Sequence, residues 1–110
     1  MKSRKILLTH KKKYPKIQGE PFVWHTYEVE SETPLTEREV LCAVRTIVKY
    51  GFSNNAGYGD VTLTKKRCLC TLCFHINDPQ ADQILVTNND ITLMASNGDI
   101  LNVIPIIYEA

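Results

Sequence analysis

The chain has 110 residues, 44% apolar and 23% charged, with a formal net charge of +1. That length fits one domain with a single core, and the composition excludes a disordered, collagen-like or membrane-spanning chain. The longest apolar runs, "ILL" at 6–8 and "IPII" at 104–107, fall far short of the ~20 residues a membrane-crossing helix needs.

The charge is unevenly spread. Between Met1 and Lys16 stand seven cations (Lys2, Arg4, Lys5, Lys11, Lys12, Lys13, Lys16) and no acid, whereas Glu20, Glu28, Glu30, Glu32, Glu37 and Glu39 crowd the next segment. Residues 1–5 read as a flexible basic arm on a single 1–110 domain. The apolar run behind that arm is too short for a signal-peptide core, so the four cysteines are expected to be reduced thiols in the cytoplasm rather than disulfides.

In chain order, "KILLTH" places Ile6 and Leu8 on one strand face. The stretch "KKKYPKIQGEP", with two prolines, a glycine and a lysine cluster, reads as an exposed loop. Alternation in "PFVWHTYEVE" sets Val23, His25, Tyr27 and Val29 against Phe22, Trp24 and Glu28.

A helix over about 37–50 follows. Thr36 and Glu39 form a capping box, with Leu35 and Val40 as its hydrophobic staple. Val40, Ala43, Val44, Ile47 and Val48 make an apolar stripe, and Gly51 closes the element. Few cations line its polar face, so the stripe is expected to pack on a sheet rather than a membrane surface.

Past the helix, "SNNAGYGD" reads as a loop with Tyr58 displayed at its tip. Its Gly-x-Gly precedes a strand, the reverse of the order that phosphate-binding loops need. "DVTLT" and "RCLCTLCFHI" read as strands, and Asn97-Gly98 predicts a tight type I′ hairpin between the last two. Pro105 marks the end, a bulge or an edge position of the final strand. The expected fold class is α+β, one amphipathic helix packed on a mainly antiparallel sheet of about five or six strands.

Three cysteines and a histidine within 68–75 raise the question of chemistry. If the segment is extended, Cys68 and Cys70 join Leu72, Phe74 and Ile76 on one face while Cys73 and His75 occupy the other. Cys70 and Cys73 then cannot form a zinc knuckle, which needs a turn and a second ligand pair, and neither opens a helix as a redox thiolate does. No metal, cofactor or catalytic residue is assigned on this reading.

What remains is charge with aromatics. Lys11, Lys12, Lys13 and Lys16 beside Tyr14, with Trp24 and Tyr58, are the candidate contacts for a partner or for nucleic acid. The leading expectation is a small non-enzymatic binding module, an inhibitor, immunity or accessory protein that covers a surface of a larger protein or nucleoprotein. Direct nucleic-acid binding through the lysine cluster is the alternative. A third is a small metal-independent ribonuclease or hydrolase built on His25 or His75, in which imidazoles would move the protons.

Overall fold

The computed structural model describes residues 5–51, 57–78 and 80–106. Within them lie seven strands and one helical segment: β1 (Ile6–Lys13), β2 (Phe22–Ser31), α1 (Glu37–Thr46), β3 (Gly57–Leu63), β4 (Cys68–His75), β5 (Gln83–Val86), β6 (Asp90–Met94) and β7 (Ile100–Pro105). The strands form one sheet in the order β3-β4-β2-β1-β5-β6-β7, every neighbouring pair antiparallel. The count is seven rather than five or six. The additional strand is β5, only four residues long and too short to show a period of its own.

Alternation builds the inner face. Ile6 and Leu8 of β1, Val23, Tyr27 and Val29 of β2, and Cys70, Leu72 and Phe74 of β4 are all buried. The helix covers that face. Its capping box is formed in full, Thr36 Oγ1 accepting from the Glu39 amide while the Glu39 carboxylate accepts from the Thr36 amide. Val40, Ala43, Val44 and Ile47 are its buried stripe.

The last part is not α-helical. Residues Ile47–Gly51 form a π-helical turn. It starts just after Thr46, whose hydroxyl donates back to the Cys42 carbonyl at 2.7 Å, a bond that loosens the local ladder. The helical segment touches both edges of the sheet, α1 against β3 and the π turn against β7, so the sheet curls around it. No helix among the described residues is long and apolar enough to cross a membrane.

Three local expectations are corrected. Lys11–Lys13 are not loop but the end of β1, which carries a bulge between His10 and Lys12; the connection proper is shorter, 14–21. Gly57–Asp60 belong to β3, so Tyr58 sits on a strand and not at a loop tip.

The Asn97-Gly98 hairpin is not type I′. No residue other than glycine has a positive φ among the described residues, and only Gly98 (φ +90) supplies it in this turn. Gly98 N–H donates to the Ala95 carbonyl and Ala95 N–H to that of Asp99, closing a three-residue loop. Asn97 instead uses its side-chain oxygen to accept from the Asp99 amide, a competing turn geometry that asparagine offers. Pro105 ends β7, an edge strand, as its missing donor requires. Residues 1–4 of the expected basic arm and 53–56 of the expected loop lie outside the described residues.

Candidate binding face

Cross-strand register fixes what the outer face of the sheet presents. One row runs Glu30, Leu7, Leu85, Thr92, Val103, and the next Glu28, Thr9, Gln83, Met94, Ile100. Among the described residues no helix or second sheet lies on these rows. Val103 and Ile100 are 48% and 65% exposed, and Leu7 and Leu85 half-buried.

Toward the other end of β2 the same face carries an aromatic and cationic patch. Lys12 stands opposite Thr26 in the register, and Thr26 opposite Thr71. Tyr14, just beyond β1, donates its backbone N–H to the Trp24 carbonyl and sets its hydroxyl 3.0 Å from Thr26 Oγ1. Its ring thus lies back over the sheet, and the Lys12 ammonium sits 4.7 Å from the ring centroid, within cation–π range. Trp24, 39% exposed, has the edge of its indole against β3 at Gly59.

Of the candidate contacts, the fold therefore gathers Lys12, Tyr14 and Trp24. Lys11, at the bulge, pairs with Glu28 at 3.7 Å, and Arg67 reaches the same carboxylate at 3.5 Å. Such exposed pairs stabilise little, about 0–1 kcal/mol, but together they cancel the charge of Glu28. Lys16 is exposed in the connection after β1.

Lys13 and Tyr58 are not part of this patch. Lys13 pairs in register with His25 and its charge bears on that ring. Tyr58 aligns with Leu72, on the helix side, where its hydroxyl accepts from Arg45 Nε at 3.1 Å.

The histidines do not assemble as the sequence reading nominated them. His25, only 4% exposed, faces inward, whereas His75 is on the outer face, its Nδ1 accepting from the Asn77 amide and its ring edge-on to Phe22. His25 pairs instead with His10, whose Nε2 lies 3.0 Å from His25 Nδ1. With Tyr27, Gln80 and Asp82 they line a cavity of about 30 Å³, room for a water molecule and not for a substrate.

Burial first, then His10 and Lys13, push the His25 imidazole down to about 4. The Tyr27 hydroxyl is pushed far above its ordinary value by burial and by Asp82, and it donates to the Ala81 carbonyl at 2.9 Å. The parity of Ile6 and Leu8 extends to His10, so the sequence held the direction of that ring, and the β1–β2 pairing with its bulge after His10 brings it to His25.

The cysteine segment is extended, with Cys68 and Cys70 on the helix side and Cys73 and His75 on the other. All four cysteines carry free thiols. Burial pushes the Cys70 thiol up to about 12 and raises those of Cys68 and Cys73, the direction opposite to that of a nucleophilic or redox thiolate. Cys73 is buried although it faces outward, opposite Trp24 and Gly57 in the register.

At the far end of β2 an open groove of about 1,020 Å³ separates the β2–α1 connection from the β3–β4 turn, with Glu30 and Glu32 on one wall and Lys65 and Lys66 on the other. Compared with known proteins, the chain matches no family model, and no curated protein and no solved structure matches it significantly.

Proposed function

We propose that the protein is a non-enzymatic binding module, an inhibitor, immunity or accessory protein that lays the outer face of its sheet on a larger protein or nucleoprotein partner. The observation that carries this reading is the contrast between the two faces. One is closed by α1, and the other leaves Val103 and Ile100 exposed around half-buried Leu7 and Leu85, with Trp24 exposed toward the other end of β2. An exposed apolar patch marks an interaction surface, and an aromatic on the same face offers an anchor for binding. The chemistry-bearing side chains lend support from the other side, since the inward histidines are closed in and the buried thiols held protonated. Free thiols fit a reducing compartment, which we take to be the cytoplasm.

The test is a comparison. Wild type, Leu85→Lys and Trp24→Ala are used to capture partners from the native host, and any partner found is titrated with all three. A partner that binds wild type and is weakened at least about tenfold by either substitution supports the reading. Partners held equally by all three proteins would remove the outer face from it.

Direct nucleic-acid binding is the second reading. It is favoured by one specific observation, the placement of the Lys12 ammonium over Tyr14 next to Trp24.

A further inference from the structure

We infer that the patch formed by Lys12, Tyr14 and Trp24 binds single-stranded nucleic acid, with an unpaired base stacked on Trp24 and phosphates held by Lys12 and Lys16. This rests on the reading of the outer face as the binding surface and names the ligand class for one end of it.

The first argument is the way the tryptophan is set. A β-carbon on Gly59 would come 2.5 Å from Thr71 Oγ1 and 3.2 Å from the Trp24 ring. A side chain there would crowd Thr71 and press on the indole; glycine, at the irregularity of β3 between Tyr58 and Val61, lets the ring rest against the strand. The large aromatic is thereby kept at the surface, 39% exposed, when burial on the inner face was one residue away at Val23 or His25. An aromatic ring fixed on an open sheet is the platform that single-stranded binders use, because every base has a π-face to offer it.

The second argument is the cation. Tyr14 is tied at two points, by its backbone to Trp24 and by its hydroxyl to Thr26. Its ring then holds the Lys12 ammonium 4.7 Å away. The lysine is placed beside the stacking ring before any ligand arrives, which lowers the ordering cost of a phosphate contact.

The third is local charge. From Lys5 to Gly19 the sequence has no acid, Glu28 is engaged by Lys11 and Arg67, and Asp60, exposed next to Gly59, stands at the β3 border of the patch. Glu20, close enough to Cys73 to raise its thiol, bounds the patch on one side. The overall charge of +1 gives no long-range field. The contact is therefore short and involves about two phosphates, for which counterion release gives a log–log salt slope of about −1.4 on single strands.

The experiment is a titration of the full chain with fluorescein-labelled single-stranded RNA and DNA of about 12 nucleotides, a length within the range one such face covers. A duplex of the same sequence is run beside them. Anisotropy reports binding, and quenching of Trp24, the chain's one tryptophan, reports where it occurs. We expect single strands to quench Trp24 and bind with the shallow salt slope above, while the duplex binds at least about tenfold more weakly.

Trp24→Ala is expected to weaken binding by roughly tenfold or more, and Trp24→Phe by less. Lys12→Ala should flatten the salt slope by about 0.7, with Lys12→Arg restoring it. Tyr14→Phe, which keeps the ring under Lys12 but loses its tie to Thr26, should weaken binding less than Trp24→Ala does. The surface lysine variants keep the test valid if Trp24→Ala fails to fold.

No anisotropy change at low salt, or binding that leaves Trp24 unquenched, overturns the inference. If nuclease-treated host extract still yields a protein partner that Trp24→Ala loses, the outer face survives as the binding surface and only the ligand class falls. If neither nucleic acid nor any partner responds to outer-face substitutions, both fall.

Discussion

His10 and His25 share a hydrogen bond, Nε2 to Nδ1 at 3.0 Å, across the two central strands. One ring donates and the other accepts, so the pair carries a single proton between those nitrogens, while burial penalises the charged form of His25. Lys13 opposite His25 adds to that penalty.

Stability should therefore fall in mild acid. The unfolded chain takes up this proton near pH 6.5 and the folded chain only near 4. Between those values the unfolded state binds more protons, so the stability present above pH 6.5 is lost as pH drops towards 4, by up to about 3 kcal/mol. Urea titrations at steps across that window will show it, and His25→Gln should flatten the profile. An unchanged profile in that variant would place the titrating group elsewhere.

Gly59→Ala should disturb the fold and the surface together. Its β-carbon meets Thr71 Oγ1 at 2.5 Å, so a loss of about 1–3 kcal/mol is expected, with altered Trp24 emission and iodide quenching. Adding Thr71→Ala removes the nearest clashing atom and should recover part of the loss. A Gly59→Ala protein with wild-type melting and emission contradicts this packing.

Of the four thiols, only that of Cys42 should react rapidly with an aromatic disulfide reagent in the native protein. Cys42 is exposed on the helix, while Cys68, Cys70 and Cys73 are buried and held as thiols. Denaturant should release the other three. Rapid native labelling of Cys70 would mean that β4 is not where the register puts it.

Thr36→Ala should lower stability by about 1 kcal/mol, the usual cost of losing an N-cap, without changing the denaturant slope. The capping box has two arms, so Glu39→Ala should cost less than Thr36→Ala. Comparison of urea midpoints decides it.

Much of this was legible without coordinates, for reasons that can be named. The helix start is written in Thr36 and Glu39 because its capping bonds are local. The directions of Cys68, Cys70, Cys73 and His75 follow from the two-residue period of a strand and hold in any sheet. Neighbour effects were harder. Asn97-Gly98 predicts a two-residue turn from propensity alone, yet the bulge pairing Met94 with Ile100 sets a longer loop in which only Gly98 needs a positive φ.

By itself the sequence determined the elements whose cause is local: the cap, the amphipathic stripe and the alternating faces. The tertiary structure decided which residues meet. Order in the sheet brings His10 beside His25, Gly59 beneath Trp24 and Tyr14 over Thr26, and it sends Tyr58 to the opposite side. Those contacts join segments at least 12 residues apart or pass through a bulge, and strand pairing and packing, rather than local propensity, fix them.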